Sequence, residues 1–306
     1  MNSGTGSGVF FRPPFYRLFY GLAFCLFTGF AASAQSPGPG ISGVLEWDKM
    51  EISAQVSLDL GPLGLTLPTG RTQAEELITA EYLALMRPLI LSIPVDSSGF
   101  VGDHLGDGDF SLFRAESYAL SARSTPPAMT ADMSRMQAAY TISLQGLSAE
   151  FIRHPRPFNP PRILAAAPAA AYTGILIIAG GELPLHGTRR NASVLPCLFP
   201  KIWDSNMNLI YDKTMLESRE TVMVHYSCEE SIFQDNPSGL SPELRALVGD
   251  RPLRILARGV YGIRPTDPVI DAEDALTILS AEENRRLLQQ GKVVIVLEKD
   301  ELKNSF

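Results

Sequence analysis

Cysteine, histidine and tryptophan are scarce in this chain of 306 residues, which holds three, four and two of them. His104, His154, His186 and His225 stand apart from one another, so neither a His-Glu-x-x-His helix nor a Cys/His zinc pattern is present. A Gly-x-Ser-x-Gly elbow, a phosphate-binding loop and a dinucleotide fingerprint are missing as well. These absences lower the odds of an enzyme, and no catalytic, cofactor-binding or metal residue is assigned by motif. Positive charge is also in deficit, with 26 Lys and Arg against 33 Asp and Glu, which argues against nucleic acid as an obligatory partner. After the first 34 residues no segment is both apolar and long enough for a bilayer, which needs about 20 residues.

What is present begins with an export signature. Arg12 and Arg17 precede an apolar run, Leu18 to Phe30, that ends at Ala32-Ser33-Ala34, small residues that a signal peptidase accepts. The expectation is a signal peptide over 1–34 cleaved before Gln35. Cys25 is a poor lipidation site because Phe24 stands where a small residue is wanted. Cleavage removes two arginines and no acid, taking the formal charge from -7 to about -9. In an oxidising compartment Cys197 and Cys228 are left as an open choice between a disulfide, contributing roughly 3 to 4 kcal/mol, and two separate thiols.

Along the rest of the chain the period of the apolar residues sets the elements. Residues 35–43, QSPGPGISG, read as a flexible lead-in. Met50, Ile52, Ala54, Val56 and Leu58 alternate with polar residues and predict a half-buried strand. Ala74, Leu77, Ile78, Tyr82 and Leu85 predict a helix over 72–86 that Pro88 ends or kinks. A loop over 96–108, a short helix over 112–121 and a strand over 139–145 follow. HPRPFNPPR then packs four prolines into nine residues, and a Pro/Ala-rich linker is expected over 154–171. Beyond it come YTGILIIA as a central strand and LPCLFPKIWD with NLIYD as a hairpin turning at 204–208. VMVHYS, PLRILAR and KVVIVLE predict further strands. The helix DAEDALTILS should start at Asp271, and AEENRRLLQQ behind a Ser280/Glu283 capping box should end at Gly291. The expected fold class is α+β, strand-rich, with two mixed α/β domains over 44–153 and 172–300 and a tail over 301–306.

Three groupings invite chemistry, each beside a plainer reading. Asp103, Asp107 and Asp109 in GDHLGDGDFS offer hard oxygens for calcium, yet lack the twelve-residue EF-hand pattern and read more simply as an acidic loop. Ser98, His104 and Asp96 form a catalytic triplet on paper only. Phe199, Trp203 and Tyr211 around the hairpin either fill the core or make an aromatic binding face. Gly174 and the Gly180-Gly181 pair suggest close backbone approach or a sharp turn. His225 reads as a structural histidine, and Arg285 and Arg286 as the solvated side of the last helix.

The ordered pieces GRTQAEELITAEYLALMRPLILSIPVDS, YTGILIIAGG, LPCLFPKIWDSNMNLIYD, VMVHY, GDRPLRILARGVYG, VIDAEDALTILS and GKVVIVLE resemble a family of secreted bacterial envelope proteins. That family includes outer-membrane lipoproteins and, at greater distance, flagellar outer-ring assembly proteins. The resemblance implies a non-enzymatic structural or assembly protein of the periplasm or associated with the outer membrane, a flagellar accessory or ring component among the options; the hydropathy adds that any membrane association is peripheral, with no transmembrane span. It implies envelope or flagellar proteins, or further copies of the chain, as partners, and supplies no catalytic residue and no cofactor. The alternatives are a secreted hydrolase with a non-motif active site and a calcium- or small-ligand-binding module.

Overall fold

A computed structural model describes residues 38–106, 110–160 and 170–305. The predicted leader, Cys25, Asp107, Asp109 and most of the alanine stretch lie outside the described residues. The architecture is strand-rich, with two mixed α/β domains, as the periodicity predicts.

In the first domain β1 (Gly40–Glu46) and β2 (Glu51–Asp59) form an antiparallel pair. α1 (Thr69–Leu91), α2 (Leu112–Leu120) and the two-residue strands β3 (Arg123–Ser124) and β4 (Ala128–Met129) follow. β5 (Arg135–Ser143) and α3 (Leu144–Ala149) complete the set. β2 lies between β1 and β5, and its even-numbered side chains, Ile52, Ala54, Val56 and Leu58, are all buried. α1 buries Ala74, Ile78, Tyr82 and Met86, four residues apart, and so presents one continuous apolar stripe. Tyr82 stacks on Tyr140 of β5 with ring centroids 4.1 Å apart, and its hydroxyl donates to the Ala119 carbonyl at 2.7 Å.

The second domain contains β6 (Ile175–Ile178), β7 (Leu183–Pro184), β8 (Asn191–Ala192), β9 (Ile202–Asp204), β10 (Leu209–Tyr211) and β11 (His225–Cys228). It continues with α4 (Pro242–Val248), β12 (Leu253–Leu256), β13 (Gly259–Tyr261), β14 (Asp267–Ile270), α5 (Ala272–Ser280), α6 (Glu282–Gln289) and β15 (Val293–Leu297). β16 (Lys303–Ser305) is the last strand.

Four strands form a parallel sheet in the order β11-β15-β6-β12. Its central strands are apolar at successive positions because both faces are covered. Ile175, Ile177, Val293, Ile295 and Leu297 enter the main core, while Leu176, Val294 and Val296 meet Leu244 and Val248 of α4 on the other face. Gly174 is required there, since a Cβ would lie 2.5 Å from Val248 Cβ. A second sheet, β10-β9-β14-β13, carries the predicted hairpin. Its turn is held by the Asp204 carboxylate, which accepts from the backbone of Asn206 and Asn208 and from the Asn208 amide.

Several expectations are corrected. The Gly/Pro/Ser-rich lead-in already belongs to β1 from Gly40 onward, because β2 supplies a partner for backbone that its own composition would leave irregular. α1 starts three residues early and runs through Pro88. An interior proline costs about 3 kcal/mol, and burial of Leu89 and Ile90, at roughly 1.5 to 3 kcal/mol each, offsets it. The third long strand spans 135–143 rather than 139–145, and Leu144 opens α3. Ser280 makes no capping box: it closes α5, and Ala281 stands at the N-cap of α6 without a side-chain bond. Arg285 is buried rather than solvated, donating to the Leu279 carbonyl at 2.7 Å and pairing with Glu282, whereas Arg286 remains exposed.

The segment read as a tail joins the first domain, since β16 pairs antiparallel with β1 and extends the sheet to β16-β1-β2-β5-β3, with β4 also on β5. The described start of the linker lies on the second domain, with Phe158 N donating to the Thr214 carbonyl at 2.8 Å and His154 Nε2 2.9 Å from the Leu216 carbonyl. Among the described residues no helix is long and apolar enough to cross a membrane.

Candidate functional site

The site with the most unusual chemistry lies at the seam between the domains. It is built by three loops that hold one another in place. In the first, Val95 N donates to Gly99 O at 3.0 Å and Val101 N to Ile93 O at 2.9 Å, closing a tight reversal. Asp96 fixes its tip by accepting from Ser98 N at 2.8 Å and Ser98 Oγ at 2.6 Å. Asp103 then accepts from Phe100 N at 2.8 Å, which sets the position of the Phe100 ring.

The second loop joins β13 to β14. Gly262 has φ +118°, and a Cβ there would lie 2.4 Å from Arg264 O and 2.6 Å from Ser97 Cβ, so only glycine admits this approach. Arg264 N donates to Ser97 O at 3.2 Å. The third loop precedes β9, and Leu195 N donates to Pro265 O at 2.8 Å. Leu198 N and Phe199 N donate to Pro94 O and Val95 O at 3.0 and 2.8 Å, which ties this loop to the first domain.

Between these loops and β16 opens a cleft of about 280 Å³. Pro94, Phe100, Leu195 and Pro196 give it apolar walls, Ser92, Asn304 and Ser305 add polar groups, and none of its lining residues is acidic. The Arg264 guanidinium lies over the Phe100 ring with Cζ 3.9 Å from the centroid, a cation–π contact. Arg264 Nη1 is out of contact with water and has no hydrogen-bond partner among the described residues.

Beneath the second and third loops sits a buried polar cluster. The Asp267 carboxylate accepts from Lys201 N at 3.2 Å, Trp203 Nε1 at 3.3 Å and Thr266 Oγ1 at 2.7 Å. Burial raises its pKa despite these bonds. Cys197 lies nearby, with its thiol pKa pushed up by burial and by the charge of Asp267. The Tyr226 hydroxyl accepts from Cys197 N at 3.0 Å and donates to Cys197 O at 2.9 Å. A thiol held this strongly in its protonated form is a packing group, not a nucleophile. Lys213 lies 5.1 Å from the centre of the Phe199 ring, and burial lowers its pKa. At Asp96 burial is outweighed by the Ser98 bonds and by the charges of Lys213 and Lys201, which keep its carboxyl below the ordinary value.

Cys197 and Cys228 are free thiols, and Cys228 Sγ stands 3.5 Å from Ser231 Oγ. Ser98 bonds Asp96, while the His104 ring packs edge-on against Phe151 at 5.4 Å, so the paper triplet is not assembled as a relay. Of the acidic loop only Asp103 is described, and its carboxylate serves the turn at Phe100. No group of three or more His, Cys, Asp or Glu side chains among the described residues is placed to hold a metal. Phe199 and Tyr211 are in the core, whereas Trp203 is half-buried and meets Tyr261 edge-on at 5.7 Å. Gly180 and Gly181 lie against Glu298, and Gly181 has φ +77°. Arg264 and Phe100, which define the cleft, have no signal in spacing or motif, because 164 residues of chain separate the loops that bring them together.

Two family models match this chain. One describes the N-terminal domain of Treponema pallidum Tp0624 and matches residues 39–150. The other describes the second domain of the same protein and matches residues 174–299. The two matches fall in the same order as the domains seen here and leave 151–173 between them. No curated protein matches the chain.

Proposed function

We propose that this protein is a non-enzymatic component of the bacterial cell envelope, exported to the periplasm, where it acts by protein–protein contact at the seam between its domains. The observation that carries this reading is an arginine with no ion pair among the described residues, set in a cleft with apolar walls. Arg264 has a buried nitrogen without a partner among the described residues, and Phe100 and Leu195 are each 39% exposed beside it. Its sequence neighbour Ile263 is 91% exposed. Large apolar side chains gathered around a polar anchor are the composition of a binding surface. The leader, with Arg12 and Arg17 ahead of an apolar run, supports export, and the resemblance noted in the sequence supports assembly on the envelope.

Photo-crosslinking in intact cells tests the reading. A photoreactive side chain at Ile263 should give discrete protein adducts in the periplasmic fraction, and one at Glu76 on the outer face of α1 should give none. A mature chain still starting at Met1 in the cytosol, or equal labelling from both positions, would overturn it.

A further inference from the structure

We propose that the seam cleft receives an extended segment of a partner protein that carries an aspartate or glutamate side chain, with the carboxylate bound by Arg264. This rests on the reading above that the seam is a protein-binding surface, and adds the chemistry that the surface selects.

The first reason is the state of Arg264. Elsewhere on this chain several arginines are answered by carboxylates: Arg87 by Glu116, Arg114 by Glu150, Arg123 by Glu51 and Arg258 by Asp271. Arg264 has no ion pair with any described residue, and its Nη1 has lost water without gaining an acceptor. Leaving such a donor unsatisfied is costly, and more so for a charged group. A carboxylate entering the cleft meets the guanidinium beside the Phe100 ring and forms a charge-assisted bond with it. Contact with the Phe100 ring restricts the rotamers of Arg264 before binding, which lowers the entropy lost on binding.

The second reason is the shape and sign of the surroundings. No lining residue is acidic, so the cleft is a local positive site on a chain of formal charge -7. An acidic partner is repelled by most of the surface and accepted at this point, which gives register as well as attraction. The walls formed by Pro94, Leu195 and Pro196 are suited to apolar side chains flanking the acid.

The third reason favours an extended peptide over a free carboxylate. Asn304 and Ser305, on the cleft wall, belong to β16, the terminal strand of the six-stranded sheet. An edge strand pairs on one side only, and main-chain pairing with its open side is a common mode of peptide capture. Carboxylate, flanking side chains and backbone are then recognised by three different parts of one cleft.

The test uses the full chain and an array of pentapeptides with Glu at the centre and apolar residues on both sides, each matched by a peptide with Gln at the centre. Binding is read by fluorescence anisotropy. Glu peptides should bind at least tenfold more tightly than their Gln partners, the preference should vanish in Arg264→Gln, and N-methylation of the peptide backbone should weaken binding. Arg264→Lys keeps the charge without the planar fork and should retain only part of the preference. If Arg264→Gln does not fold, the Glu/Gln comparison on the unaltered chain decides alone.

Equal binding of Glu and Gln peptides, or of neither, overturns the proposal. So does Arg264-dependent binding to phosphatidylglycerol vesicles in place of the peptides, or Arg264-dependent self-association in sedimentation as the only association seen. Crosslinks from Ile263 in cells that persist in Arg264→Gln, together with no acid preference, would leave the protein-contact reading standing and remove this one.

Discussion

His225 shows how a single half-buried side chain makes stability depend on pH. It lies in β11, opposite Val294 of β15, and burial lowers its pKa below the ordinary 6.5. The folded state therefore favours the neutral ring, while the unfolded chain takes up a proton as pH falls through 6.5. Stability from this group is complete above that value and is lost on the acid side, down to the depressed folded pKa. His225→Gln cannot titrate, so urea unfolding between pH 5 and 8 should show a shallower acid-side slope for the variant, by up to about one proton. Parallel curves for the two proteins would show that His225 does not differ between the folded and unfolded chain. The reading of His225 as structural was available from the sequence because a lone histidine inside the apolar run VMVHYS has few polar neighbours. No such signal marks Arg264, whose surroundings come from loops distant in the chain.

At the scale of elements, periodicity revealed those whose partners are local or whose burial is uniform. The alternation at Ile52, Ala54, Val56 and Leu58 and the unbroken run Val293–Leu297 state their burial outright. Where the apparent chemistry of a boundary misled, tertiary contacts had overridden it: β1 begins among glycines because β2 is beside it, and α1 passes Pro88 because Leu89 and Ile90 are buried. The junction of α5 and α6 is the clearest instance. Ser280 and Glu283 have capping-box spacing, yet the chain turns one residue later, at Ala281, and Ser280 Oγ is left buried with no partner among the described residues. Arg285, buried and bonded to the Leu279 carbonyl, braces the turn in its place. Ser280→Ala should therefore leave stability unchanged or raise it, by up to about 1 kcal/mol, where loss of a working N-cap would cost about that much. Arg285→Ala should be the more damaging change, since it frees a buried carbonyl and removes a packed stem. Equilibrium unfolding in urea separates the two, and a loss of about 1 kcal/mol or more in Ser280→Ala would show that the hydroxyl does cap α6.

For the whole molecule the decisive question is whether the two domains stand alone. Their sequence boundary is legible in the proline-rich stretch, but a boundary in composition is not a boundary in the core. Phe110 packs on Phe151 within the first domain, and Phe151 reaches Phe199 of the second, with ring centroids 6.3 Å apart. Trp47 meets Tyr226 edge-on at 5.7 Å and donates to Asn304 of β16 at 2.9 Å. β1 is thus covered by a strand that the chain makes only after the second domain is complete. Side chains from both domains belong to one apolar cluster, so opening the seam exposes core rather than surface. Unfolding of one domain should then carry the other with it. With two tryptophans in the chain the test is direct: Trp203→Phe leaves Trp47 as the sole fluorescent indole, and its urea transition should coincide with that of far-UV circular dichroism, which reports both domains. Phe151→Ala, which removes the middle ring of the aromatic bridge, should shift both transitions together by roughly 3 to 5 kcal/mol. Two separated transitions in the parent protein, or a shift confined to one signal in Phe151→Ala, would show that the seam is a contact between independent bodies, and the cleft at Arg264 would then lack the rigid walls on which its selectivity depends.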